Sequence, residues 1–170
     1  MTLAAPPTSV EKYAAAFESL SDSGTPGWLI ATRLQAWANF SELGIPTARR
    51  GNELWKYTNL RPLADAGFEY GQIGPVSLDQ IKSAGPWDDA WDTVVVVDGN
   101  FSAQLSSLNG TPGLTAGSLG EAIAAGTDNL ESQFASLAGR ENYAFTALNT
   151  AFAADGAYIG IAADTRLTTP

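Results

Sequence analysis

Arg49-Arg50-Gly51-Asn52-Glu53-Leu54-Trp55-Lys56-Tyr57-Thr58-Asn59-Leu60-Arg61-Pro62-Leu63 is the stretch around which the chain is organised. Arg49, Arg50, Lys56 and Arg61 are four of only nine basic residues in the protein, so cationic charge is concentrated here. The stretch holds no His, no Cys and no glycine-rich phosphate cradle, and does not read as a reaction centre. The cations pair with carboxylates of the same chain, form a docking patch for an acidic partner or, as the smallest share, recognise phosphate. In each, Trp55 and Tyr57 fix the stretch onto a helical layer.

The composition narrows the chemistry. A chain of 170 residues holds one domain, or one domain and the start of another. With 45 % apolar and 16 % charged residues it reads as a folded globular protein. Its net charge of −9 argues against non-specific nucleic-acid binding, which needs clustered cations to displace counterions. An anionic membrane surface would repel it as well. Residues 1–7 lack the basic and apolar runs of a signal peptide, and no segment approaches the roughly 18 apolar residues that span a bilayer. A cytoplasmic protein is the expectation.

The absence of Cys and His excludes more. No disulfide, no Cys–His pair and no Ser–His–Asp set is available. Zinc, haem and iron–sulfur ligation through thiolate or imidazole are closed, and only carboxylate chemistry stays open. Asp88, Asp89, Asp92 and Asp98 cluster around Trp87 and Trp91, which permits a carboxylate-dependent hydrolase using Asp88, Asp89 or Asp92. Their spacing matches no calcium loop, and solvated loop charge is the simpler reading. The glycines form neither dinucleotide nor P-loop motifs.

Working outward, Val10, Tyr13, Phe17 and Leu20 make one apolar stripe, predicting a helix over Thr8–Leu20 opened by a Thr8–Glu11 capping box. A second helix is expected from Thr25 as N-cap and Pro26 at its first position to Leu43, stopped at Gly44. Leu29, Arg33, Ala36, Trp37, Phe40 and Leu43 share its face. Arg33 stands in that apolar stripe, where a cation usually pairs with a carboxylate, and Glu53 is the expected partner. Asn52–Lys56 fits one helical turn and Tyr57–Leu60 an extended segment.

Ser77 caps a short helix to Lys82. Val94–Val97 reads as a strand buried on both faces, turned at Asp98-Gly99 and returning over Phe101–Leu105. Leu114–Ala116 is a third strand, and Ser118–Glu121 a capping box for a helix ending at Gly126. Helices are expected over Asp128–Leu137 and Asn142–Ala154, the latter burying Tyr143, Leu148, Ala151 and Phe152. Ala157–Ile161 and Thr165–Leu167 read as strands of a sheet left unfinished at Pro170, as in a truncated domain.

Three blocks resemble the N-terminal region of the SufB/SufD family of iron–sulfur cluster assembly proteins. The first is Pro26-Gly27-Trp28-Leu29 through Arg33, Ala36, Phe40 and Gly44-Ile45-Pro46-Thr47 into Glu53-Leu54-Trp55-Lys56-Tyr57-Thr58. The second is Val94–Phe101 with Leu105-Ser106, Gly113-Leu114-Thr115 and Ser118-Leu119. The third is Phe145–Ala157. They span residues 26–170 with a gap in the glycine-rich middle, and Trp55–Thr58 is closer to SufD than to SufB. Asn52 and Asp98 depart from the family, which usually has an acid and an Asn there.

The resemblance implies an α+β fold in three parts. Residues 1–25 are an N-terminal helix and linker, and 26–155 a helical and mixed domain. Residues 156–170 are the first strands of a right-handed parallel β-helix continuing beyond Pro170. It implies a non-catalytic scaffold domain that holds no cofactor of its own, the cluster being handled by the full complex. SufB and the ATPase SufC would bind through parts beyond residue 170, and a sulfur or electron donor through this segment. The candidate motif is Arg33, Arg49, Arg50, Glu53, Trp55, Lys56, Tyr57 and Thr58. Its role is architectural, with Trp55 and Tyr57 locking it down and Arg33 or Arg49 pairing with Glu53; docking is the alternative. A free-standing acidic interaction domain ending at Pro170 is the competing reading of the whole chain.

Overall fold

The computed structural model describes residues 8–20, 22–46, 48, 53–66, 68, 70–71, 73–138 and 143–170. Arg49, Arg50 and Asn52 lie outside these residues, as do the Thr8 side chain and the capping box expected from it. The helices are α1 (Thr8–Glu18), α2 (Gly27–Leu43), α3 (Arg61–Asp65), α4 (Leu78–Ala84), α5 (Leu119–Ala124), α6 (Leu130–Gln133) and α7 (Ala144–Ala151). The strands are β1 (Val96–Val97), β2 (Asn100–Phe101), β3 (Leu114–Ser118) and β4 (Ala157–Ile161). The strands pair into two small antiparallel sheets, β1 with β2 and β3 with β4, and the architecture is α+β. The chain forms two units, each made of two stretches. The first takes residues 1–70 and 128–153, the second 71–127 and 154–170. These units interleave across the segments 1–25, 26–155 and 156–170.

The first unit is built on α2. Its buried residues Leu29, Arg33, Ala36 and Phe40 recur at a spacing of three or four and lie on one face, which packs on α7. On α7 the buried positions Ala144, Ala147 and Ala151 are small, which lets the two backbones approach. Val10, Phe40, Ile45, Ala144 and Ala147 form the core, with Tyr13, Trp37, Leu60, Phe145 and Leu148 packed against it. Trp37 stacks on Phe17 of α1 at 4.6 Å, and Phe152 meets both rings edge-on.

Several expectations are corrected here. The N-cap of α2 is Pro26, not Thr25, and Leu43 at its last turn is exposed. The helix expected over Asp128–Leu137 is only four residues long, because Asn129 (φ 62°) and Ala135 (φ 54°) sit in the left-handed region on either side of it. Leu137 is fully exposed as a result. Tyr143 is exposed rather than buried, since α7 begins one residue after it. The segment after Trp55 runs through Thr58 into α3, a helix that periodicity did not predict.

In the second unit, Asp98 (φ 48°) and Gly99 (φ 83°) are both left-handed, the geometry of a two-residue type I′ hairpin, as the Asp-Gly pair predicts. The valine run is not buried on both faces. Val95 is buried but Val96 is 42 % exposed, because a two-stranded ribbon leaves one face to solvent. The return strand ends at Phe101, where the backbone turns: Ser106 N–H donates to Ser102 O at 3.0 Å. Ser77 caps α4 as predicted and makes a reciprocal capping box with Gln80; on α5 Ser118 Oγ accepts from Glu121 N–H, which is one half of the capping box expected there. β3 pairs with β4 from Leu114↔Ile161 to Ser118↔Ala157. Thr165–Leu167 is not a strand; Thr165 N–H turns back onto Ala162 O at 3.2 Å.

The close approach of α2 and α7 is testable by overpacking. Ala147 is fully buried. Ala147→Leu forces extra methylenes into a filled interface and is expected to cost about 1–3 kcal/mol. A urea denaturation midpoint unchanged from wild type would contradict this packing.

Candidate functional site

A single turn of 3-10 helix at Glu53–Trp55 carries the motif singled out from the sequence. Three residues per turn put Leu54 and Tyr57 on one side and Trp55 on another. Thr58 N–H donates to Trp55 O at 3.0 Å and closes the turn. Trp55 faces inward and meets Phe145 of α7 edge-on, with ring centroids 5.4 Å apart. Tyr57 does not lock the turn down as expected. It is 91 % exposed, and Leu54 beside it is 73 % exposed. Thr58 is exposed too.

The cations are arranged differently from the expectation. Arg33 does not pair with Glu53. Its guanidinium is buried, with the residue 6 % exposed, and Nε donates to the carbonyl of Ala153 at 2.8 Å. That carbonyl follows the last turn of α7, where unpaired carbonyls and the helix dipole favour a cation. Arg33 is therefore a clamp between α2 and the end of α7. Glu53 pairs instead with Lys56 at 3.4 Å, and Lys56 Nζ lies 5.5 Å from the Tyr57 ring. Arg61 pairs with Asp65 at 3.5 Å along α3. Both pairs are exposed and contribute little to stability.

Phe145 also lines an apolar groove of about 320 Å³ in the same unit, with Tyr13, Phe68, Tyr70, Leu148 and Phe152. Burial pushes the Tyr13 phenol above its ordinary pKa. The groove has no counterpart in the sequence reading, since its aromatic residues come from three separate stretches.

In the second unit the carboxylates each hold local structure. Asp88 accepts from Ala90 N–H at 2.9 Å. Asp89 accepts from the Trp87 indole at 2.7 Å and from Lys82 at 2.9 Å, and these bonds hold its carboxyl below the usual range. Asp92 accepts from the Thr111 hydroxyl and from Asn109 N–H, which lower it likewise. No group of three or more Asp or Glu among the described residues is arranged to hold a metal ion.

Asp155, one residue past the expected end of the Asn142–Ala154 helix, is the best-connected carboxylate among the described residues. One oxygen accepts from Ser118 Oγ at 2.7 Å and Gly120 N–H at 2.9 Å; the other accepts from Phe101 N–H at 2.8 Å. It thereby joins β2, the β3–α5 junction and the start of β4. Partial burial raises its pKa, but the bonds from Gly120, Ser118, Phe101 and Gly156 outweigh burial, and the net shift is downward. A side chain at position 120 would place its Cβ 3.0 Å from Ala154 O, a tight contact that the neighbouring backbone would have to relieve by shifting. No local pattern could reveal this hub, because three of its donors, Gly120, Ser118 and Phe101, lie 35–54 residues away in sequence.

The family described as SufBD protein N-terminal region matches residues 8–170. No curated protein matches the chain.

A carboxylate whose folded pKa is lowered stabilises the fold above its unfolded pKa, and that contribution is lost as pH falls through the folded value. The wild type is therefore expected to lose stability on acidification below about pH 4, the unfolded value. Asp155→Asn places an amide where three donors converge. It is expected to cost about 1–3 kcal/mol at neutral pH and to flatten the acid limb of a stability–pH curve. Equal curves for the two proteins would contradict the hub.

Proposed function

The chain belongs to the SufBD N-terminal-region family, and on that premise we propose that it is the non-catalytic N-terminal domain of a SufD-like scaffold subunit in iron–sulfur cluster assembly. Family membership across residues 8–170 is the observation that carries this reading. Within the family, Glu53-Leu54-Trp55-Lys56-Tyr57-Thr58 supports the SufD branch over SufB. On this reading β4 leads toward a right-handed parallel β-helix, and SufB and SufC bind through parts of the protein other than this domain. The cluster is cargo of the assembled complex, which works in the cytoplasm.

The residues support a scaffold over the hydrolase alternative. A carboxylate hydrolase needs one acid whose pKa is raised so that it can donate a proton. Asp89 and Asp92 are shifted the other way, by hydrogen bonds that hold them ionised. With neither His nor Cys in the chain, ligation of a cluster by imidazole or thiolate falls to other subunits or other parts of the protein.

The test is assembly. Co-expression of the full-length protein with SufB and SufC is expected to yield a complex that survives size-exclusion chromatography. Separate elution of this subunit, with SufB and SufC intact, would overturn the assignment.

A further inference from the structure

We infer that Asn109-Gly110 is a site of spontaneous deamidation, and that the reaction turns an amide latch of the second unit into a carboxylate that releases it. This goes beyond the proposed function, since it does not depend on which subunit of the family the chain is.

Deamidation needs a neutral side-chain amide, an unshielded backbone nitrogen after it, and water. Asn109 is the one asparagine of the sequence that precedes a glycine. Gly110 has no Cβ to shield its nitrogen, its φ is 70°, and nothing stands within 4 Å of where a Cβ would lie. Both residues are exposed and lie outside any helix or strand. The Gly110 N–H has no acceptor among the described residues, so no hydrogen bond breaks to free it. The two Asp-Gly pairs, Asp98-Gly99 and Asp155-Gly156, carry carboxylates that are ionised at neutral pH and therefore poor electrophiles. In the reaction the Gly110 nitrogen gives its proton to hydroxide and attacks Asn109 Cγ. The new N–Cγ bond forms, the Cγ–Nδ2 bond breaks, and Nδ2 leaves as ammonia with a proton taken from water. Water then opens the succinimide ring at either carbonyl, giving aspartate or isoaspartate. The net change is water consumed, ammonium released and a negative charge gained, with no oxidant or reductant.

The amide that is lost holds two loops together. Asn109 Nδ2 donates to Trp91 O at 3.0 Å and to Asp89 O at 3.5 Å, and Asn109 N–H donates to Asp92 Oδ1 at 2.6 Å. Asp92 in turn accepts from the Thr111 hydroxyl. Asn109 therefore ties residues 89–92 to residues 109–111. The tie sits beside the bridge between Thr93 and Ser107, where each N–H donates to the other's carbonyl, at 2.6 and 2.9 Å. A carboxylate at position 109 has no proton to donate, so the carbonyls of Asp89 and Trp91 lose their donor and face an anion instead. It also adds a like charge next to the Asp92 carboxylate. The isoaspartyl product shifts the backbone as well, and the Asp92 bond to residue 109 with it.

The full chain would be incubated at body temperature in mildly acidic and mildly alkaline buffer, beside an unstructured peptide containing Leu-Asn-Gly-Thr, and mapped by mass spectrometry. Aspartate and isoaspartate are expected to accumulate at position 109, faster in alkali because the Gly110 nitrogen must lose its proton. Asn109→Gln, and separately Gly110→Ala, are each expected to abolish the product over the same incubation. Release of the latch is read on freshly purified Asn109→Asp by hydrogen exchange. The Thr93 and Ser107 amides are expected to lose protection, while those of α2 and α7 in the first unit keep theirs. An intact Asn109 when the peptide has fully converted, conversion at other asparagines at the same rate, or an undiminished rate in Gly110→Ala would overturn the site. Unchanged protection of Thr93 and Ser107 in Asn109→Asp would overturn the release.

Discussion

The packing of α2 on α7 is the constraint on which the first unit depends. The two helices are separated in sequence by the whole of residues 71–127, which belong to the other unit. Closing so long a connection costs entropy that grows only slowly with length, so a well-made contact can hold it. Three features make the contact good. Small residues on α7 allow close approach, Phe40 fills the core, and Arg33 ties α2 to the carbonyl at the end of α7. A buried guanidinium is costly unless it is bonded, so the Arg33–Ala153 hydrogen bond also sets the register of the pair.

The motif depends on the same contact. Trp55 reaches Phe145, which belongs to α7, so the turn is positioned only when α7 is in place. Tyr57 and Leu54 are then exposed by geometry, since a 3-10 turn that sets Trp55 against Phe145 directs residues 54 and 57 elsewhere. The segment thus combines an architectural residue with a surface, where the sequence offered these as alternatives. The chain returns to the second unit after Ala153, and Asp155 gathers donors from three elements there. Each unit has its polar clasp within three residues of that crossing.

What could be read from the sequence was local. Ser77 with Gln80, Ser118 with Glu121, and Asp98-Gly99 place caps and a turn through bonds spanning a few residues, and all three stand in the structure. The buried stripe of α2 followed from periodicity, and the α+β class was the expectation that the family resemblance carried. Periodicity failed where the backbone conformation intervened: left-handed Asn129 and Ala135 cut the helix that Leu130, Phe134 and Leu137 suggested. It also failed at Val94–Val97, since an apolar run does not show whether a second sheet face is covered. Arg33 was recognised as needing a partner, but that partner is a main-chain carbonyl 120 residues away, which no side-chain pattern encodes. Tyr57 and Asp155 were misjudged for the same reason, because their surroundings are assembled from distant segments.

Native-state hydrogen exchange tests the central claim most directly, by comparing the backbone amides of α2 with those of α7. If the two helices form one cooperative piece, Leu29–Phe40 and Ala147–Phe152 open with the same free energy, and Arg33→Met lowers both together. Independent opening of α7, with α2 fully protected in wild type and in Arg33→Met, would contradict the account.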